Sequence, residues 1–262
     1  MTSVRRVLDD LGEPVALTGV PTSVVSVVPS LTEAVELTVP GVLVGATDYC
    51  VHPPDLVATR VGGSKYPDVD RIIGLRPRLV LANVEENREQ DVLRLREAGV
   101  PVWVTGAPDT VPAALASLRR LFTEVFHVPT PDWLAEADEV WRPVAPVWAT
   151  AVVPVWRRPW VVLGRDTFAG DVLRRLGVAN AYVDSAQRYP RPALEELLDR
   201  VSGGGADLVV LPDEPYLFTA QDGPDAFPDT RHALVSGRQL TWWGPSLVDA
   251  RVALAAALSP LS

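Results

Sequence analysis

RVGGSKYPDVDRIIGLRPRLVLANVEENREQDVLRLREAGVPVWVT, residues 60–105, reads as glycine loop, helix, strand, acidic loop, helix, strand. Asp68 or Asp70 can open the first helix, whose apolar face is Ile72, Ile73 and Leu75, and Pro77 stops it. Residues 79–82 (LVLA) form the short, wholly apolar run that a parallel strand covered on both faces requires. The strand exits into 83–87 (NVEEN). A second amphipathic helix carrying Val92, Leu93 and Leu95 ends at Gly99, and 100–104 is the next strand. Ligands of open α/β sheets sit outside the carboxyl ends of the strands, which points to the loop at Glu85, Glu86 and Asn87.

Upstream, 24–28 (VVSVV) is an apolar strand that runs through Pro29 into a helix over 31–37. Ser30 or Thr32 is its expected N-cap, with Glu33 in the first turn. Residues 42–46 form another strand, followed by a rigid His52-Pro53-Pro54 loop, and 111–126 is an amphipathic helix. Prolines 129, 131, 143 and 146 then bracket one helix-sized piece at 133–141, the composition of a stiff connector. The second half repeats the first: strand 160–163, a turn at Gly164-Arg165-Asp166-Thr167, helix 168–176, strand 181–183, helix 194–201, strand 208–211 and strand 239–241. The expected fold is α/β: two Rossmann-like lobes of similar topology (1–127 and 149–262) joined by a single helical connector (128–148). Strand-exit loops of both lobes would then border one interlobe cleft, a preferred place for small ligands.

With 47% hydrophobic and 22% charged residues and a net charge of −9, the chain is globular in composition and nucleic acid is not its expected partner. No apolar run is long enough for a membrane span. The first residues lack the apolar core and small-residue cleavage site of a signal peptide, so the chain as written reads as cytoplasmic. A mis-assigned start or a removed leader would make it extracytoplasmic. Cys50 is the only cysteine, which excludes an intramolecular disulfide and a cysteine metal cluster. Lys65 is the only lysine, the other 23 of 24 cationic side chains being arginine, a pattern for which a genome biased towards arginine codons is the plain cause.

VVSVVPSLTEAVELT, GATDYCVHPP, VGGSKYPDVDRIIGLRPRLVLANVEEN, GRDTFAGDVLRRLGVANAYVD and LPDEPYLF together resemble the cobalamin- and siderophore-type substrate-binding proteins of ABC importers. The resemblance runs from about Ser23 to the C-terminal helix. It implies a helical-backbone, two-lobed binding protein, not an enzyme, that passes a small organic or metal-chelate ligand to a permease. No resident cofactor is implied, and a corrinoid is the leading ligand. Tyr49 matches one aromatic position of the vitamin B12-binding members, whereas Ser64 and Asn83 stand where those members carry tryptophan. Asp70 and Glu195 match the acids with which the family docks on its transporter. The chain departs from the family pattern in having no export leader and no lipobox cysteine. That opens the alternative of a cytosolic small-molecule or cofactor binder without a permease.

The residues themselves suggest a ligand set. Glu85, Glu86, Asn87 and, at the matching exit, Glu214 offer oxygen ligands for amines, hydroxyls or a hard metal, or serve as helix-start charges. Arg165 and Asp166 can receive an anion at a helix start, with Asp166 as a plain N-cap the duller reading. Phe168, Tyr216 and one of Trp242 and Trp243, which a strand would send to opposite faces, are the aromatic candidates. Ser30, Tyr49, His52 and Lys65 complete the set. No catalytic or metal constellation is expected from the motifs, and an enzyme using Glu85, Glu214 and Arg165 is the remaining alternative.

Overall fold

The computed structural model describes residues 4–259. The chain divides into two compact units: one comprises the residues up to Ala107, Leu115–Ala135 and Trp243–Pro245, the other Pro108–Ala114, Glu136–Trp242 and the residues from Ser246 on.

The first unit opens with an antiparallel hairpin of β1 (Val4–Leu8) and β2 (Pro14–Thr18). There follow β3 (Val24–Ser26), α1 (Pro29–Thr38), β4 (Leu43–Ala46), β5 (Thr59–Arg60), α2 (Val69–Gly74), β6 (Leu79–Asn83), α3 (Glu89–Glu97) and β7 (Val102–Thr105). Its five-stranded parallel sheet has the order β5-β4-β3-β6-β7. Every residue of β3 and β6 is buried, as the apolar runs demand of strands covered on both faces. Val25, Val80, Ala82 and Val102 pack with Ile72, Val92 and Leu95 in one core. Asp68 caps α2 by accepting from Arg71 N at 3.0 Å.

Then come α4 (Val111–Arg120), a π-helical turn at Leu121–Val125, and α5 (Asp132–Trp141). The helix read as running through residue 126 thus changes register after Arg120.

The second unit contains β8 (Ala149–Val152), β9 (Pro154–Trp156), β10 (Val161–Val162), α6 (Phe168–Arg175), β11 (Val178–Asn180), α7 (Leu194–Ser202), β12 (Leu208–Pro212), β13 (His232–Val235), α8 (Gly237–Thr241) and α9 (Leu247–Leu258). Its parallel sheet has the order β11-β8-β12-β13. Numbered within each unit, both sheets run 2-1-3-4, with β5 added at one edge of the first. The internal repeat is real, and three of its four expected strand positions shift.

The first strand of the second sheet is β8, not 160–163. Ala149-Thr-Ala-Val hides between prolines and is half alanine, a weak strand signal. Residues 161–162 instead pair antiparallel with β9 as a short ribbon. The second strand is β11, and 181–183 form the turn after it, where Asn180 Oδ1 accepts from Tyr182 N at 3.0 Å. The fourth strand is β13, while 239–241 lie in α8, because Ser236 caps that helix by accepting from Gln239 N. Trp242 and Trp243 therefore follow a helix, are both buried, and do not alternate across a strand. Gly177, closing α6, has φ +81°, and a Cβ there would lie 2.3 Å from Pro146 O, so glycine is required at this stop.

Helix starts differ as well. α1 begins at Pro29, whose missing N–H is no loss in a first turn, so Ser30 and Thr32 lie inside the helix and are not its cap. Thr167, not Asp166, caps α6, accepting from Gly170 N at 3.3 Å. Asp166 instead sits at φ +51° beside Arg165.

Candidate functional site

In the first unit, loops leaving β4, β5 and β6 are tied into one surface by uncharged side chains. Asn87 Nδ2 donates to Val27 O (3.2 Å) and Ser64 O (2.9 Å), and its Oδ1 accepts from Asn83 N (2.7 Å). Asn83 accepts from the backbone of Glu85 and Glu86, and donates to Thr105 Oγ1 and Gly106 O. The Thr47 and Ser64 hydroxyls lie 3.3 Å apart. Arg60 donates to Thr47 O (2.8 Å) and Cys50 O (2.9 Å), fixing the turn that presents Tyr49. Asn87 is buried and fully engaged with this scaffold, so its part is to hold the loops and not to face a ligand.

The surface so built is aromatic. Tyr49 and Tyr66 are 66% and 70% exposed, large values for rings of that size, and Val51 and Val84 are exposed with them. A Cβ on Gly63 would touch the Tyr49 ring at 3.4 Å, so the bare backbone of the glycine loop supports that ring. Arg88 lies 4.5 Å over the Tyr66 ring while its guanidinium grips Asp91 with two bonds of 2.7 and 2.9 Å. Lys65 Nζ donates to Glu85 O at 3.2 Å, joining the glycine loop to the acidic turn. Of the predicted residues, Tyr49, His52, Lys65, Glu85 and Glu86 thus belong to this loop cluster; His52, Glu85 and Glu86 each have partners of their own.

Below the surface, Cys50 is wholly buried, its Sγ 3.0 Å from Thr32 Oγ1 and 3.1 Å from Thr47 Oγ1. Burial pushes its thiol pKa up. That is the reverse of an activated nucleophile. Ser30 is buried, and its hydroxyl has no hydrogen-bond partner among the described residues.

The second unit presents its candidates differently. Tyr216 donates to Asp222 Oδ2 at 2.6 Å, and its ring packs edge-on against Trp156 (centroids 5.6 Å) and tilted against Phe218 (4.7 Å). Phe218 stacks on Trp160, over which Arg157 lies at 5.4 Å. Arg157 in turn pairs with Asp222 and Asp225. The hydrogen bond from Arg157 holds Asp225 down to about 2. Glu214 is half-buried, and burial, reinforced by Asp213, raises its pKa. Arg165 and Asp166 are exposed and paired with each other at 2.5 Å. Phe168 is buried at the first position of α6, and Trp242 is buried beneath Arg238, 5.8 Å away. Asp70, 84% exposed, meets Arg94 at 2.9 Å, and Glu195 is exposed in the first turn of α7.

Tyr66 and Trp156 were not among the predicted ligand residues. Tyr66 had a signal in its place beside Lys65 in the glycine loop. Trp156 had none, because its position depends on the β9–β10 ribbon. Among the described residues, no group of three or more His, Cys, Asp or Glu side chains is placed to hold a metal ion, and no helix is long and apolar enough to cross a membrane.

No protein-family model and no curated protein matches the sequence. Solved structures do match its fold. The periplasmic heme-binding protein RhuT from Roseiflexus sp. RS-1 is 19% identical, with 90% of this chain and 99% of that one covered and a TM-score of 0.72. The periplasmic vitamin B12-binding protein BtuF of Vibrio cholerae is 18% identical (91% and 96% covered, TM-score 0.69). CeuE of Helicobacter pylori, solved with Ni(II) bound, is 14% identical (98% and 89% covered, TM-score 0.76). The two α/β units expected from the sequence, each on a 2-1-3-4 parallel sheet, are thus those of a chain with the fold of the periplasmic heme- and vitamin B12-binding proteins.

Proposed function

We propose that the chain is a substrate-binding protein for ABC-type uptake, capturing a small organic or metal-chelate ligand at its strand-exit loops. A corrinoid is the first ligand to test. The observation that carries this reading is the first unit's exit surface. Two exposed tyrosines stand on loops immobilised by Asn87, Asn83 and Arg60, the preorganisation that lets a binder hold a flat ligand without first ordering its own loops. The fold, shared along nine-tenths of the chain with proteins named for heme and vitamin B12 binding, supports the same reading. No catalytic step is part of it: the buried thiol is deactivated and Asn87 is committed to structure.

Asp70 and Glu195 are proposed as the permease-docking acids, one on each unit. Uptake would place the working protein outside the cytoplasm. The test is native mass spectrometry and an absorbance spectrum of the purified protein, followed by titration with cobinamide, cobalamin and hemin. Stoichiometric binding of one of these with a perturbed visible spectrum is expected. Silence towards all of them would overturn the reading.

A further inference from the structure

The β7 edge of the first unit's sheet is sealed. Val104 donates its N–H to Asp9 Oδ2 (3.3 Å) and its carbonyl accepts from Asp10 N (3.2 Å), both supplied by the turn that closes the β1–β2 hairpin. Leu234 on β13 holds the matching place in the second unit, and it has no such cover. Val209 N and Asp213 N donate to the carbonyls of Arg231 and Val235 (2.9 and 3.1 Å), so these residues bond towards β12. By the alternation of a parallel ladder, the N–H and C=O groups of His232 and Leu234 point away from it. Among the described residues no hydrogen bond answers those outward groups. His232 is exposed, Leu234 is 39% exposed, and the strand carries no lysine, proline or bulge to blunt its edge.

Helix α9 packs against β13 and borders the same rim. Leu247, Ala250, Leu254 and Leu258 are its buried side. Arg251 reaches back to Pro143 O (2.9 Å) and to Arg175 O at the end of α6, the helix that packs on β11 at the far edge of the sheet. The flank opposite Arg251 therefore looks out past β13. It carries Ala253, Ala256 and Ala257, the last two exposed, and residues 252–258 contain no charge. Solvent-facing positions of a surface helix are ordinarily polar.

We propose that two copies of the chain associate along this rim. β13 pairs antiparallel with β13 of a second copy about a two-fold axis perpendicular to the sheet, and the two α9 helices lie side by side. Symmetry selects a second copy over other occupants. The strand answers its own outward groups reciprocally, His232 of one copy standing opposite Leu234 of the other. No like charges meet, since Arg231 falls opposite Val235 and its guanidinium is turned to Leu258 O and the Trp148 ring. A peptide strand would answer the edge and leave the helix flank bare, whereas a second copy covers both. The alanines of that flank let two helices approach to about 8 Å, the close end of ordinary helix packing. The association does not depend on which ligand the chain captures.

The test is sedimentation velocity of the full chain over a concentration series, joined to a register assay by cysteine cross-linking. A reversible dimer is expected. Leu234→Pro removes an outward N–H at a place where an edge strand tolerates proline, and the dimer Kd should rise about tenfold or more. Ala257→Glu sets like charges against each other across the axis from an exposed helical position. It should weaken the dimer similarly while leaving the strand intact. For the register, His232→Cys chains mixed with Leu234→Cys chains should form a disulfide-linked dimer under mild oxidation. Neither variant alone should do so, Cys50 being buried. A chain that stays monomeric throughout would overturn the inference and leave the edge to a peptide strand. A dimer indifferent to both Leu234→Pro and Ala257→Glu would overturn it as well, as would either cysteine variant cross-linking alone as well as the mixture does.

Discussion

The two units share one sheet topology and fasten their exit faces by different physics. In the first, no carboxylate pair is needed: the amides and hydroxyls of Asn83, Asn87, Thr47 and Ser64 tie one loop to the next, and Arg60 and Lys65 donate to backbone carbonyls. In the second, charge and close backbone contact take over: Arg157 with Asp222 and Asp225, Asp171 with Arg174 and Arg175, and Gly164 pressed beneath residues 187–190. The first unit uses helices for the crossovers β3–β4, β5–β6 and β6–β7, and only β4 reaches β5 without one. The second reaches β13 from β12 with no α-helix, through a long irregular segment that aromatic rings and ion pairs must hold. A repeated fold therefore does not imply a repeated way of stabilising the loops that face a ligand.

The sharpest challenge to that contrast is Asp171→Ala. Asp171 is buried, and burial alone would raise its pKa, yet bonds from Arg175, from the backbone of Val111 and from Arg174 hold it lowered. Removing it strands the buried Arg175 guanidinium and should cost about 4 kcal/mol in urea denaturation. Gly164→Ala comes next. Its Cβ would meet Gln187 O at 2.0 Å, so the loop must move, at a cost of about 3 kcal/mol in the same assay. Asn87→Ala, the first unit's counterpart, should cost about 2 kcal/mol by leaving buried backbone groups unanswered. That cost should be the same at pH 5 and pH 8, and a pH-dependent cost would break the comparison.

In the second unit, acid should act through Asp225. Asp225 has its pKa depressed from 3.8 to about 2, so its contribution is complete above 3.8 and disappears as pH falls through about 2. Tryptophan fluorescence, with Trp160 beneath Arg157, should report a transition there that Asp225→Asn abolishes. The smallest effect belongs to Asp70→Asn. The exposed pair with Arg94 is worth no more than about 0.5 kcal/mol, so melting should barely change while permease-stimulated uptake falls.

The first unit was the more legible from sequence for the same physical reason. Its strands are uniformly apolar runs closed by proline and glycine, and the Asp68 cap is local. The second sheet's first strand, Ala149-Thr-Ala-Val, has weak strand propensity and acquires its place only through pairing with β11 and β12. Gln239 to Thr241 read as a strand because a helix capped by Ser236 and anchored by Asp213 on Gly237 N depends on a contact 24 residues away. The candidate residues followed the same rule in where they lie, their part in binding being a proposal. Tyr49 and Lys65 were visible in their loops, but that Asn87 faces inward, and that Arg165 and Asp166 answer each other, are outcomes of packing that no spacing encodes.

The sealed thiol of Cys50 carries a practical consequence. A single sulfhydryl with no exposed surface, beneath the turn that bears Tyr49, reacts with an alkylating reagent only when that turn lifts away. The native chain thus contains its own clock for the opening of the first unit's surface. Any ligand that clamps Tyr49 should slow it, even one that has no colour and no spectrum to follow.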